Sequence, residues 1–500
     1  MSGPPKFAVV GTGPAGLGVL TALLDAGHAG RITLFDIDRP IHVPQVVEEP
    51  KPDAIASFYD GVYRDIWRSG TRTFPPPKTH FAAALPKVAL DGRAKIIRSD
   101  ALGGLSNFWG GTALPFTDSE LAGWPVRRAD LDAHYQRMAD VCGISGRPDA
   151  LNRYFGADFV NRPPMHVTRV FDRMERAVNE ADAHAGFETV AGVNRCMLET
   201  RPGESRSCVR CGECHAGCFR DSVFSTRRAI AAMIADGRVA LARGKVRAFH
   251  TPARVLSIEG APTVGPFDRI YLAAGCPNTT EIALRSLGAR DTVEMAENAV
   301  YIFPVVYFGK TDRSAGREPY VSLCNLIIAL LPTSSDLPFA QAQLYTNFDY
   351  LWRYNIPPAL WPLARGPIAR SRDRLFWARL YVHGKLSQSY TIAMDGDTAR
   401  VTPARGPDKR AVASLMPVLR HALNRHRFYV PPFDPVYQNV SFHYAATLPP
   451  GNGRSVHVSP AGEIAPGVFV CDSTSFPDLP AVSLTFTVMA HGHRVAAQSL

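Results

Sequence analysis

Near the N-terminus the apolar run Phe7-Ala-Val-Val10 reads as a short buried strand. Residues from about Leu17 to Ala26 then carry helical periodicity, and Arg31-Ile-Thr-Leu-Phe35 reads as a second strand. Helical spacing returns at Leu131 to Val141 and at Val412 to Leu423. The stretch Tyr301 to Tyr307 alternates as a strand does, and Ile270-Tyr-Leu-Ala-Ala-Gly275 reads as another strand. Strand, helix and strand in close succession predict an α/β chain. Phe74-Pro-Pro-Pro77, Pro357-Pro358 and Pro431-Pro432 mark boundaries or rigid connectors, and no internal repeat is present.

The first strand runs into Gly11-Thr-Gly13-Pro14-Ala15-Gly16, and the second ends on Asp36. In a dinucleotide-binding turn Gly11 permits the tight bend, Gly13 lets a pyrophosphate approach the backbone, and Gly16 lets helix and strand pack closely. The helix N-terminus supplies partial positive charge, and an acid at the next strand end accepts ribose hydroxyls. FAD and NAD both satisfy these residues.

At 500 residues and 46% hydrophobic content the chain can bury a core spread over two or three units. Apolar runs such as Leu326 to Leu331 are too short to cross a bilayer, and the first strand begins almost at Met1, so a cytoplasmic address is expected. The formal charge of +10 comes mostly from scattered arginines without a nucleic-acid-binding motif, which argues against a nucleic-acid partner. Only Leu351 to Lys385 concentrates them: Arg353, Arg365, Arg370, Arg372, Arg374 and Arg379 alternate with Trp352, Trp361, Phe376 and Trp377. That pattern suits an ordinary solvated face with inward tryptophans, a peripheral membrane contact, or an anionic substrate.

Nine cysteines without a secretion signal argue against a disulfide framework. Four of them, Cys208, Cys211, Cys214 and Cys218, have ferredoxin-like spacing, and iron-sulfur ligation, zinc, and unligated or paired thiols all remain open. Cys196 is a remote candidate ligand. Cys142, Cys276, Cys324 and Cys471 sit singly among apolar residues, as core cysteines do.

Two further segments carry a resemblance. Leu102-Gly103-Gly104-Leu-Ser106-Asn107-Phe108-Trp109-Gly110-Gly111 resembles the Gly-Gly-x-Ser loop that lies along the flavin in glucose-methanol-choline (GMC) oxidoreductases. From Asn439 onward, Phe442-His443-Tyr-Ala-Ala-Thr447 resembles that family's His-x-x-Gly-Thr. Val468-Phe-Val-Cys471-Asp472 follows, and Pro480-Ala-Val-Ser483-Leu-Thr-Phe-Thr487 stands where the family has Asn-Pro-x-x-Thr. Ile270 to Gly275, with Ala274, is similar to the strand that returns to the dinucleotide domain. The likeness is greatest to the branch of pyranose 2-oxidase and bacterial flavin-dependent sugar dehydrogenases.

The resemblance implies a Rossmann-type FAD-binding domain of GMC fold, assembled from residues 1–115, 194–295 and 433–500. An α+β substrate domain would come from 116–193 and 296–432. It implies an FAD-dependent enzyme that oxidises an alcohol to a carbonyl, with His443 as base and Ser483 where the family has asparagine or a second histidine. Serine is shorter and a poor base. Phe108 stands where pyranose 2-oxidase has a flavin-linked histidine, so the FAD is expected to be noncovalent. The expected substrate is a sugar, glycoside or polyol. Alternatives are a long-chain or steroid alcohol, an isomerisation, or a redox carrier without substrate chemistry. A four-iron or three-iron cluster in the cysteine loop would direct electrons to a protein or quinone acceptor. His491 and His493 are expected near the exposed end of a closing helix.

Overall fold

The structure, a computed structural model, describes residues 4–41, 52–69, 87–90, 94–311, 318–353, 355–438, 442–451 and 456–500. The Phe74–Pro77 connector and Asn439 lie outside the described residues. A six-stranded sheet has the order Glu463–Ala465, Val468–Val470, Arg269–Leu272, Phe7–Val10, Ile32–Asp36, Val239–Arg243, all parallel except the first strand. Its central strand, Phe7–Val10, is buried throughout, as a strand covered on both faces must be. Strands from widely separated stretches of chain meet here, so the glycine turn, Gly275 and Asp472 emerge at the same edge.

The helix Pro14–Asp25 follows the first strand, and the C-terminal helix Thr485–Ser499 packs along it. Contact is close enough that a Cβ on Gly492 would stand 2.6 Å from the Ala15 carbonyl oxygen. This packing buries His491 and His493, contrary to the exposed helix end expected from sequence. His491 Nε2 meets Ser475 Oγ at 3.0 Å, and His493 Nδ1 meets His134 Nδ1 at 2.7 Å.

An antiparallel seven-stranded sheet is built from Phe187–Val193, Val300–Tyr307, Leu326–Pro332, Ala340–Thr346, Leu375–Val382 and the short strands Phe428–Tyr429 and Val436–Gln438. Its alternation assigns each face a job. Phe303, Val305, Leu344, Phe376, Ala378 and Leu380 point one way and pack with Phe171, Met174, Leu415 and Leu419 of the helices Arg169–Asn179 and Lys409–Leu423. Each large side chain buried there contributes roughly 1.5–3 kcal/mol. Their neighbours along the strands, Ile302, Gln343, Tyr345, Trp377, Arg379 and Tyr381, face a cavity instead.

A four-stranded antiparallel sheet, ordered Thr398–Arg405, Ser389–Asp395, Val293–Glu297, Tyr444–Ala445, ties the C-terminal segment to the middle of the chain. Glu297 pairs with Tyr444, so the residues just beyond that pair, Asn298 and His443, are brought side by side. Among the described residues no helix is long and apolar enough to cross a membrane.

Candidate active site

Two adjoining cavities run from the strand ends of the parallel sheet to the face of the seven-stranded sheet. The first, about 470 Å³, is lined by Gly11, Gly13, Pro14, Ala15, Asp36, Gly104, Ala274, Gly275 and Asp472. Gly11 has φ +105°, and a Cβ there would overlap the carbonyl oxygen of Ala273, so the turn admits only glycine. Gly13 has open space where a Cβ would stand, and the helix it begins has no side-chain cap, leaving its first N–H groups available to an anion. Asp36 accepts from Thr12 Oγ1 at 2.6 Å and from the Asp38 amide at 2.8 Å. Burial nevertheless pushes its carboxyl up to about 6. Asp472 accepts from the Gly275 amide at 2.8 Å and from Thr279 Oγ1 at 2.6 Å, and burial raises it as well. A cleft with an open glycine turn, an uncapped helix start and an acid at the second strand fits FAD. Gly11→Ala is expected to yield protein with little bound flavin, measured as the ratio of flavin to protein after purification.

The loop carrying Gly103 and Gly104 is pinned onto this turn. The Gly103 amide donates to Thr12 Oγ1 at 2.9 Å, and Thr226 Oγ1 donates to the Thr12 carbonyl at 2.8 Å. Ser106 Oγ donates to the Gly103 carbonyl at 2.6 Å. Asn107 braces the same loop through Leu102, Gly104 and Ser225 and does not line either cavity. Ser106, Phe108 and Trp109 line the second cavity, and the Trp109 indole N–H donates to the Phe224 carbonyl at 2.7 Å.

That second cavity, about 550 Å³, meets the first at Pro14, Leu105, Phe442, His443 and Thr485, which line both. Phe442 holds φ +67°, a strained conformation for a bulky residue, at this junction. His443 Nδ1 lies 3.1 Å from Asn298 Oδ1. The Asn298 amide donates through Nδ2 to the carbonyls of Val382 and Pro480 at 3.1 and 3.0 Å, so its oxygen must face the histidine. This network assigns the proton to Nδ1 and makes Nε2 the nitrogen that can take another. Burial, with the Arg379 charge adding to it, lowers His443 to about 4 and keeps the ring neutral at neutral pH. Ser483 lines the cavity and accepts from Gln343 Nε2 at 3.2 Å, while Tyr345 donates to Gln343 Oε1 at 2.8 Å.

Thr487 stands apart from the cofactor cleft. Its hydroxyl pairs with Tyr135 at 2.7 Å, and Leu484, Thr485 and Val488 line the cleft instead. The reason is helical phase: each residue turns the side chain by about 100°, so Thr487 faces the helix Ala129–Cys142.

The Leu351–Lys385 stretch is divided by its fold. Arg353 pairs with Asp60 and lies 3.7 Å from the centre of the Tyr63 ring, and Arg372 pairs with Asp349. Trp352 and Trp377 both donate to Asn347 Oδ1, at 2.8 and 3.1 Å, and both line the cavity with Arg379. Arg365 and Arg370 are exposed on the helix Trp361–Ser371.

The cysteine loop abuts this cavity through Cys214 and His215. Among the described residues no three His, Cys, Asp or Glu side chains come together as metal ligands, so the thiols as placed do not fit the iron-sulfur cluster that their spacing suggests. Each part of the loop is held by protein instead. Cys218 Sγ accepts from the Ser222 amide at 3.3 Å, the Cys214 amide donates to Ser322 Oγ at 3.0 Å, and Gly212 lies against the Tyr320 ring. Burial raises the Cys208 and Cys211 thiols, and neighbouring thiols add to that rise. Cys196 shares a small apolar cluster with Cys214, and no two of the nine cysteines are joined by a disulfide.

The chain has an α/β fold that it shares with solved FAD-dependent oxidoreductases. A pyridoxine 4-oxidase from Mesorbium loti superposes with a TM-score of 0.60 at 13% identity, covering 99% of each chain. An FAD-dependent oxidoreductase from Chaetomium thermophilum, solved with a butanamide fragment, gives a TM-score of 0.55 at 12% identity over 99% of this chain and 98% of that one. No family model matches the sequence, and no curated protein matches it.

Sequence reasoning missed Asn298, Gln343, Tyr381 and Thr485, and it named Arg379 only as one of six arginines in a stretch that could suit an anionic substrate. The only advance signal was the alternation of arginine and aromatic residues around Arg379.

Proposed function

We propose that this protein is an FAD-dependent oxidoreductase that converts an alcohol to a carbonyl, with His443 as the base. The observation that carries this reading is the position of His443 at the junction of the two cavities, its Nδ1 held by Asn298. Bound FAD would supply the two-electron acceptor for the hydride leaving the carbinol carbon. His443 Nε2 takes the hydroxyl proton as that hydride leaves, which avoids a cationic carbonyl. Ser483 and Gln343 offer hydrogen bonds that orient the substrate oxygen, and the aromatic walls exclude water.

Phe108, Trp109, Tyr345, Phe348, Trp352 and Trp377 give the cavity a largely aromatic wall. Such a lining favours a flat or apolar alcohol over the sugar suggested by the resemblance, since a sugar needs many polar partners. Anaerobic mixing of the purified flavoprotein with benzyl alcohol, a long-chain alcohol and a hexose tests both points. Bleaching by an alcohol with release of the carbonyl supports the reading, and bleaching by none of them removes its basis.

Phe108 provides no nitrogen for a covalent flavin bond. Acid precipitation is expected to release all of the FAD into the supernatant, measured by its absorbance. Flavin retained in the pellet would contradict this.

A further inference from the structure

We propose that Arg379 is the anion-recognition residue of the cavity, and that the substrate is an alcohol carrying a carboxylate on a flat apolar body. This rests on the reading of the cavity as the site of alcohol oxidation.

Arg379 is the only residue with a permanent charge among the described residues that line the cavity. The guanidinium donates through Nη2 to the neutral amide oxygen Gln438 Oε1 at 3.1 Å and lies 5.8 Å from the centre of the Tyr345 ring. Among the described residues no carboxylate pairs with it, whereas Arg353 pairs with Asp60 and Glu213 and Arg372 with Asp349. A cation held in an aromatic cavity without a counter-ion is unfavourable, and an anionic ligand removes that penalty.

Its place in the sheet sets the geometry. Arg379 is in register with Ile302 on one side and Gln343 on the other. Gln343 leads to Ser483, and the Arg379 charge is close enough to His443 to lower its proton affinity. Tyr381, two residues along the same strand and on the same face, stacks on His443 with ring centroids 5.9 Å apart, so a ligand held by Arg379 and lying along this face extends to the base. One guanidinium, with His443 neutral beside it, matches a monoanion, and its planar fork matches a carboxylate. The indole N–H groups of Trp352 and Trp377 are already engaged by Asn347, so these residues offer the ligand apolar ring surface.

Trp109, Trp352 and Trp377 line the cavity and report binding by fluorescence without turnover. In the holoprotein, benzoate is expected to bind roughly 10²-fold more tightly than benzamide. Arg379→Met should bring benzoate down to the level of benzamide, and Arg379→Lys should fall between. Flavin reduction by 4-(hydroxymethyl)benzoate should show a lower KM than reduction by benzyl alcohol, and Arg379→Met should erase that difference. Circular dichroism and flavin content verify that the variants fold; if Arg379→Met does not, the wild-type comparison and Arg379→Lys carry the test. Equal binding of benzoate and benzamide, or equal weakening of both by Arg379→Met, overturns the proposal. Benzoate binding through Arg379 with no flavin reduction by any alcohol would instead overturn the oxidation reading and leave the anion site standing.

Discussion

Replacing His443 with alanine is expected to slow anaerobic flavin reduction by an alcohol roughly 10²–10⁴-fold, the range removed with a positioned general base. Flavin content should stay near that of the unsubstituted protein, because the glycine turn and Asp36 are untouched. Stopped-flow absorbance measures the rate, and a loss below tenfold would mean that another group takes the proton. Ser483→Ala should cost much less, since the serine offers only a hydrogen bond.

The acid limb of the pH profile should report the same residue. His443 is held at about 4, so its neutral form persists well below the 6.5 of an ordinary histidine. The reduction rate is expected to be flat from neutral pH down to about pH 5 and to fall near pH 4. Stability follows with a definite sign. Between pH 6.5 and 4 the unfolded chain binds a proton here that the folded chain refuses, so stability falls as pH falls through that window, by roughly 3 kcal/mol at most. His443→Asn should flatten that part of the curve of urea midpoint against pH.

The largest effect on stability is expected away from both cavities. Arg195 is fully buried and donates to both oxygens of Asp149, at 2.7 and 2.8 Å. Asp149 also accepts from the backbone amides of Leu151 and Val193. Asp149→Ala would leave a buried guanidinium without its carboxylate, though still hydrogen-bonded to the Val193 carbonyl and Asn152, at a cost of roughly 3–5 kcal/mol. Urea unfolding followed by far-UV circular dichroism should show this as a lower midpoint. A double replacement, Asp149→Leu with Arg195→Met, should recover much of the loss because no charge is then stranded. A single variant as stable as the unsubstituted protein would mean that water or another carboxylate reaches Arg195.

The chain by itself determined the elements whose signal is local. Phe7 to Val10 followed by Gly11, Gly13 and Gly16 can be read directly, because a tight turn and close backbone approach restrict residue type at each position. The alternation at Tyr301 to Tyr307 and the periodicity at Leu131 to Val141 and Val412 to Leu423 became a strand and helices at those places. The segments around Gly103, His443 and Asp472, each quoted for a likeness to known counterparts, meet along one cleft, which Gly104, His443 and Asp472 line.

Only the tertiary structure decided the rest. Which face of the seven-stranded sheet lines the cavity depends on where the helices Arg169–Asn179 and Lys409–Leu423 dock, so Gln343, Arg379 and Tyr381 could not be picked out from their neighbours. Asn298 reaches His443 through a strand pairing 145 residues apart in sequence. Thr485, not Thr487, lines the cleft because helical phase is set by packing against Pro14–Asp25. The spacing of Cys208 to Cys218 bounds how far apart the sulfurs can lie, but the backbone around Gly212 and Ser322 decides where they point. Local sequence limits conformation, whereas side-chain direction and charge pairing are properties of the assembled core.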